Sequence, residues 1–370
     1  LKIKLKKRLA KYGGSRVGKS TIFLVGNGFN FLIADILKYQ RENNKECDFF
    51  ADNIEQLEKD IREITTLWRK FDDLFASLEK EYPKLNKEQL LKMIHSVVEF
   101  FRNFEGLEFF FSNKEMETIN HLDTLKKLMD KTLLKKIVTI SEEFKRHEEA
   151  KGYSNLKQIF PKFGVRLKEL LKKHEYNRVS IFSTNYDGVL DTLLTDNGFL
   201  FVDGFKRIEG DLVFCEEQLE SSDFKMLHLH GSYKFEERYY ATVKLLKGRS
   251  NENPVMIFNN PNLKEKLIKE NDVLREYYYF FEKELESCNK LVIIGNSLLN
   301  EPHILRLLNK RVKSDENKPE FKLYIIDKTP KSVEENIKME VKNIQIEQYG
   351  TIDIKSTKNL YELIETILTQ

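Results

Sequence analysis

Proline and cysteine are scarce in this chain, 7 and 3 among 370 residues. With so few prolines and no low-complexity stretch, no linker or stalk separates its parts. Cys47, Cys215 and Cys288 are far apart and odd in number, so neither a disulfide framework nor a zinc ribbon is built from them. No apolar run approaches the roughly 20 residues that cross a bilayer. The basic start Leu1–Arg8 is followed by no apolar signal core, so no secretion signal is predicted. Charge of one sign is missing too. Lys+Arg 62 against Asp+Glu 59 leaves +3, which makes no general case for a nucleic-acid partner. What is present is apolar: 41% hydrophobic residues and 27 phenylalanines, enough to bury a real core and to exclude a disordered chain. The expectation is a soluble cytoplasmic protein without a membrane anchor.

The first clear strand is Thr21–Val25, a short β-branched and apolar run that ends at Gly26. A helical pattern follows: Ile54, Leu57, Ile61, Ile64, Leu67 and onward recur at steps of three and four, break at Pro83, and resume from Leu90 to Phe104. Beyond about residue 175 short strands alternate with helices. Strands are predicted at Val179–Phe182, Lys225–Leu229, Leu291–Ile294, Phe321–Ile326 and Ile344–Ile346. Helices are predicted at Tyr186–Thr195, Asn271–Glu286, Pro302–Val312, 331–339 and from Thr357, with a mixed segment after Leu229. Continuous apolar strands separated by helices imply a parallel sheet covered on both faces. The predicted class is α/β, a Rossmann-like parallel sheet interrupted by a large helical insertion. Its parts are a basic segment at 1–20, the α/β domain at 21–39 and 176–370, and the insertion at 40–175.

Gly13–Ser20 reads Gly-Gly-Ser-Arg-Val-Gly-Lys-Ser and matches the phosphate-binding pattern G-x4-G-K-S. That chemistry needs a buried strand before the loop and a helix after it. Here a basic segment precedes the loop and an apolar strand follows, so the match is read as a polar turn.

Four other segments sit at the carboxyl ends of predicted strands, the edge where open α/β sheets bind ligands. Gly26-Asn27-Gly28-Phe29-Asn30 follows the first strand, where glycines let backbone amides approach a pyrophosphate or simply make a tight strand-to-helix turn. Ser183-Thr184-Asn185-Tyr186-Asp187 ends the second, three polar residues that are either a site or a helix cap. In Leu227-His228-Leu229-His230-Gly231-Ser232, alternation puts both histidines on one face. A metal there lacks further ligands, which leaves a structural histidine or a catalytic base. Gly295-Asn296-Ser297 suits phosphate, and Asp327, ending the next strand, either accepts from ribose hydroxyls or caps a helix.

Together Gly26-Asn27-Gly28-Phe29, Thr184-Asn185-Tyr186-Asp187, Leu229-His230-Gly231-Ser232 and Gly295-Asn296-Ser297 resemble the ordered motifs of the SIR2-like superfamily, in the bacterial form found in anti-phage NAD-hydrolysing effectors. The Gly-Asn-Gly-Phe variant is also similar to the abortive-infection AbiH group and uncharacterised SIR2-like proteins. The resemblance covers about residues 20–35 and 178–350. It implies that Asn185 and His230 are the catalytic pair, with Asp187 third. Gly26, Asn27, Gly28 and Thr184 would then line the phosphates and ribose of NAD+, and Gly295, Ser297 and Asp327 the adenosine half, with Phe29, Asn30, Tyr186 and Asn296 of the same loops also expected to bind NAD+. Protein-deacylating sirtuins carry a four-cysteine zinc module that three scattered cysteines cannot form. They also have alanine where Asn27 stands and a small hydroxyl residue where Asn30 stands.

The activity implied is hydrolysis of the nicotinamide–ribose bond of NAD+, with NAD+ as substrate and no metal. His230 has the residue type to accept a proton from a ribose hydroxyl or water, and Asn185 to orient them. Uncontrolled NAD+ loss would kill a cell, so a homo-oligomer gated by a phage-derived activator or a defence-system partner is expected. The alternatives are an NAD or ADP-ribose sensor without turnover, an ADP-ribosyl or acyl transferase, and an interaction protein that uses the α/β core as a scaffold.

Overall fold

A computed structural model describes residues 19–43, 48–65, 134–135, 137–146, 156, 160, 162–194, 201–238, 241–246, 251, 253–257, 261–313 and 321–370. The basic segment through residue 18, the glycines of the Gly13–Ser20 motif and the periodic stretch from Leu67 to Phe104 lie outside them.

Eleven strands are described: β1 (Lys19–Val25), β2 (Tyr176–Ser183), β3 (Phe205–Ile208), β4 (Asp211–Phe214), β5 (Phe224–His228), β6 (Gly231–Arg238), β7 (Ala241–Lys244), β8 (Pro254–Met256), β9 (Lys290–Ile294), β10 (Lys322–Asp327) and β11 (Ile346–Gly350). Six form one sheet in the order β11-β10-β9-β1-β2-β5, and every pairing in it is parallel. Counted along the chain from the β5 edge, that is third, second, first, fourth, fifth, sixth. This is the doubly wound order of dinucleotide folds, with its switch point between β1 and β9.

Alternation along each strand divides the core between the two faces. Phe23, Val25, Ile181, Val292 and Ile326 pack with Leu32, Ile33 and Leu37 of helix Asn27–Asn43 and with Leu360 and Ile364 of helix Thr357–Thr369. Ile22, Leu24, Phe182, Ile293 and Ile325 pack on the other side with Leu274 and Phe281 of helix Asp272–Ser287 and with Ile304 and Val333. The predicted α/β class with helices on both faces is what the structure has. Local chemistry marks the helix ends. Asn271 accepts from the amides of Val273 and Leu274, Ser356 from that of Asn359, and Pro330 opens helix Pro330–Glu340.

Two features depart from the sequence expectation. A second, five-stranded sheet, β3-β4-β7-β6-β8, has antiparallel pairings throughout; β6, β7 and β8 lie in the segment taken as mixed, and β3 and β4 lie before Lys225, where no strand was expected. Its strands are mostly four residues long, and β3 and β4 carry no buried–exposed alternation, so they left no period-two signal. Inside the span assigned to the insertion, Leu167 and Leu171 of helix Phe163–Lys173 belong to the core of the main sheet. So do Leu57 and Ile61 of helix Asp48–Thr65, the described part of the long periodic pattern.

Register brings the motifs to one line. Val25 stands opposite both Ser183 and Ile294, and Ile294 opposite Ile326. Gly26, Thr184 and Gly295 therefore leave the sheet side by side, next to Asp327 at the end of β10. Lys19 and Ser20, the end of the phosphate-loop match, open β1, and the Ser20 hydroxyl donates to Ser287 O at 3.1 Å. Among the described residues no helix is long and apolar enough to cross a membrane.

Candidate active site

Three backbone hydrogen bonds carry the sheet ladder one residue past its strands: Thr184 N to Val25 O at 2.9 Å, Gly26 N to Ile294 O at 3.0 Å and Gly295 N to Ile326 O at 2.9 Å. Gly28 N then donates to Gly295 O at 2.7 Å. A Cβ on Gly28 would sit 2.5 Å from Gly295 Cα, and one on Gly295, whose φ is +61°, would sit 2.1 Å from Phe29 N. These glycines are required for the first and fourth loops to touch. The amides of Gly26 and Gly28, expected from the sequence to approach a pyrophosphate, are taken up by Ile294 and Gly295. What helix Asn27–Asn43 still presents to the adjoining cavity is its positive end, with Asn27 and Gly28 in the wall.

Asn185 stands behind that loop, 1% exposed. Its Nδ2 donates to Gly26 O at 3.2 Å and to Asn30 Oδ1 at 3.3 Å, while its Oδ1 is buried without a partner. Two acceptors at one end of the amide identify that end as the NH2, so the orphan atom is an oxygen able to accept. Asn30 in turn donates from Nδ2 to Asp187 Oδ2 at 2.8 Å, and Asp187 Oδ1 accepts from Val189 N at 2.9 Å. Burial pushes the Asp187 carboxyl upward against those two hydrogen bonds. Asp187, Asn30 and Asn185 thus form a chain that fixes the glycine loop against the end of β2.

The two histidines part company. β5 stops at His228 and Leu229–His230 is a turn, so strand alternation does not place them on one face. A Cβ on Gly231, with φ +84°, would meet Val255 O at 1.9 Å, which is why this turn needs glycine. His228 places Nδ1 3.0 Å from Asn185 O and Nε2 3.1 Å from Asp191 Oδ2. Both neighbours only accept, so the ring is an imidazolium. Burial by itself would lower its pKa, but Asp191 and the Asn185 carbonyl outweigh that and hold it raised. Asp191, despite its own burial, is held well below the usual carboxylate range by His228.

His230 instead lines a cavity of about 680 Å³ at the carboxyl edge of the parallel sheet, a size suited to a small-molecule ligand. Its Nε2 is 3.1 Å from Glu301 Oε2, off the N–H direction, a close contact with the carboxylate that falls short of an aligned hydrogen bond. Lys264 Nζ holds the other carboxylate oxygen at 2.9 Å. Burial would raise the Glu301 carboxyl, yet His230 and Lys264 keep it well below the ordinary range. His303 Nε2 is 3.3 Å from Glu301 Oε2 and 2.6 Å from the Tyr278 hydroxyl. Burial drives the His303 pKa down to about 3 despite Glu301, so this ring is neutral.

Of the residues singled out from the sequence, Asn27, Gly28, Thr184, Tyr186 and His230 line this cavity, with Gly295, Asn296, Ser297 and Asp327 on the adjacent wall. Gly26, Phe29, Asn30, Asn185 and Asp187 support the wall from behind. Asn296 ties two loops together through Nδ2 to Thr184 Oγ1 at 2.9 Å. Asp327 does two things: it borders the cavity, and its Oδ1 accepts from the amide and hydroxyl of Thr329 before helix Pro330–Glu340. Sequence reasoning missed Glu301, Lys264, Asp35 and Arg62, all in the cavity wall. Arg62 comes from helix Asp48–Thr65 and is held at 2.7 Å by Asp35. Glu301 had one usable signal, its place just after the Gly295-Asn296-Ser297 loop.

Ligand atoms of His230, Glu301 and His303 lie within 4.8 Å of one another, a spacing open to a divalent cation. The Lys264 ammonium on the same carboxylate and the Tyr278 hydroxyl on His303 Nε2 oppose one, because a cation would repel the first and compete with the second. The set fits an internal ion-pair network better than a metal.

Residues 179–351 match the model of the SIR2-like domain family. No curated protein matches the chain. Domains of this family act on NAD+, and the matched stretch contains three of the four motif loops, all but the one that follows β1.

Proposed function

With a SIR2-like domain over residues 179–351 as the premise, we propose that this protein is an NAD+ glycohydrolase that cleaves the nicotinamide–ribose bond. Water is consumed, and nicotinamide, ADP-ribose and a proton are released. The observation that carries the reading is His230: 2% exposed, in the wall of the cavity at the switch-point edge, and backed by a carboxylate. A proton acceptor walled into a dinucleotide-sized site suits attack on an electron-poor ribose carbon better than it suits passive binding.

The work is divided as follows. Nicotinamide leaves neutral, so no strong acid is needed, and the barrier lies in the oxocarbenium-like ribose. His230 accepts the proton of the attacking water or of a ribose hydroxyl. Asn185 cannot titrate. Its NH2 anchors the glycine loop from behind the cavity wall and so orients the sugar or water through that loop, with its unpartnered Oδ1 a spare acceptor beside it. Asp187 acts through the loop, since Asn30 and Val189 occupy both its oxygens. The pyrophosphate lies toward the positive end of helix Asn27–Asn43, and Asp327 faces the ribose hydroxyls of the adenosine half.

In the cell the reading extends to an anti-phage effector that depletes NAD+, held silent as an oligomer until a phage-derived signal or a partner releases it. The placement of Arg62, which comes from the span between β1 and β2, in the cavity wall supports a role for that span in gating.

The test is nicotinamide release from NAD+ by purified protein beside Asn185→Ala and His230→Ala, with and without lysate from phage-infected cells. Release by the wild type and its loss in both variants is the expected result. Equal release by all three sinks the assignment of these two residues. Stabilisation by NAD+ without release, in every condition, would turn the reading toward a sensor.

A further inference from the structure

His230 has one charged neighbour placed to decide which of its nitrogens carries a proton. Glu301 Oε2 lies 3.1 Å from Nε2, and the whole group is buried. Glu301 is itself fixed. Lys264 Nζ holds its Oε1 at 2.9 Å and also donates to Asn300 O at 3.2 Å. The main chain pins it as well, with Glu301 N donating to Leu298 O at 3.1 Å and Glu301 O accepting from Ile304 N at 3.0 Å. Leu298, at φ +55°, shapes the turn that brings Glu301 back toward the cavity after β9. On the other sides of His230 stand the Tyr186 ring, 6.4 Å between centroids, and the neutral His303, 5.8 Å away. Neither supplies a charge to compete with the carboxylate.

We propose that Glu301 is the positioning residue of His230, holding the neutral ring in the tautomer protonated at Nε2 so that Nδ1 is the proton acceptor of the reaction. An ionised carboxylate has lone pairs only. A nitrogen lone pair 3.1 Å from that oxygen would be repelled by it, so the nitrogen on that side carries the hydrogen even without an aligned bond, and the ring's lone pair is left on Nδ1. When Nδ1 takes a proton, the resulting imidazolium sits beside a buried negative charge. This is the same logic by which a buried carboxylate orients a catalytic histidine in hydrolases of unrelated fold. Lys264 keeps the carboxylate ionised and prevents it from turning away. The role of the acceptor rests on the hydrolase reading, but the tautomer does not.

Two measurements on the full chain separate the two. In the first, two-bond proton–nitrogen correlation spectra of histidine-labelled protein are recorded in mildly alkaline buffer, with His230→Ala to assign the ring. The Nε2–H pattern is expected in the wild type and its loss in Glu301→Ala. An Nδ1–H pattern in the wild type would overturn the proposal, and so would a ring still doubly protonated, which has no lone pair to offer. In the second, nicotinamide release by Glu301→Gln should fall at least a hundredfold in kcat with KM for NAD+ within about twofold, and Glu301→Asp should recover part of the loss. Wild-type kcat in Glu301→Gln would overturn it. So would a rise in KM alone, which would make Glu301 a binding residue. A wild type that shows the Nε2–H pattern but releases no nicotinamide counts against the hydrolase reading and leaves the positioning role of Glu301 standing.

Discussion

Gly28 and Gly295, 267 positions apart in the chain, are in van der Waals contact: the amide of one donates to the carbonyl of the other at 2.7 Å, with no room for a methyl between them. Through this contact the loop after β1 meets the loop after β9 at the switch point. Gly295→Ala adds a side chain to a left-handed residue, costing on the order of 1–3 kcal/mol in backbone strain alone, and forces the loops apart. The expected result is a lower urea midpoint together with loss of NAD+-induced stabilisation. Unchanged ligand stabilisation in the variant would mean that this contact does not shape the cavity.

His228 and Asp191 set a pH window for stability. The folded His228 pKa is raised above the unfolded value near 6.5, so in the interval between them the native state holds the extra proton. Its stabilisation is full below the unfolded value and fades as pH climbs through the folded one. Asp191 behaves in the opposite sense. Its depressed pKa adds stability above the unfolded value near 3.9, and that is lost as pH falls. Denaturation midpoints of wild type and His228→Gln, taken across pH, should therefore converge as the solution turns alkaline. A constant gap from neutral to alkaline pH would show that the pair is not what titrates.

Lys264 is a buried cation on a buried carboxylate, 2% exposed. Removing it in Lys264→Met leaves the Glu301 charge short of its partner, with a cost of roughly 3–5 kcal/mol expected. Lys264→Met combined with Glu301→Gln removes both charges and should be less damaging than the single change. Additive losses in the double variant would argue that the two side chains do not act on each other.

Arg62 tests what the span between β1 and β2 contributes. It lines the cavity while paired with Asp35 and Glu58. If it meets a substrate phosphate, Arg62→Ala should raise KM for NAD+ about tenfold, equivalent to about 1.4 kcal/mol, with kcat little changed. An unaltered KM would confine Arg62 to joining helices Asp48–Thr65 and Asn27–Asn43.

The parallel sheet was legible because five of its six strands announce themselves locally; the edge strand β11, expected at Ile344–Ile346, runs instead over the polar, partly exposed Ile346–Gly350. Thr21–Val25, Val179–Phe182 and Leu291–Ile294 are apolar runs that end in polar or glycine residues, a signal contained within a few positions. The second sheet was not legible. β3 and β4 are four-residue strands without buried–exposed alternation, and Phe205 of β3 meets Phe214 of β4 and Phe235 of β6 only in the folded chain. The same contrast holds within the site. His230 and Gly295 sit in recognisable motifs, whereas Lys264 lies in an ordinary amphipathic helix, Pro261–Glu270. Nothing near it in the chain reports that Glu301 will be its partner. His228 and His230 look equivalent two residues apart, and only the end of β5 separates a structural imidazolium from the cavity histidine.

By itself the amino-acid sequence determined the α/β class, the two-sided burial of the main sheet and the four loops at its carboxyl edge. Hydrophobic period, glycine and polar strand ends are short-range properties that the chain carries before it folds. The tertiary structure alone decided that the glycines bind each other, that Asn185 supports the glycine loop from behind, and that Glu301 and Lys264 stand at His230. Those outcomes depend on strand register and on which charges are desolvated together. Both arise only when segments far apart in the chain are brought to one edge.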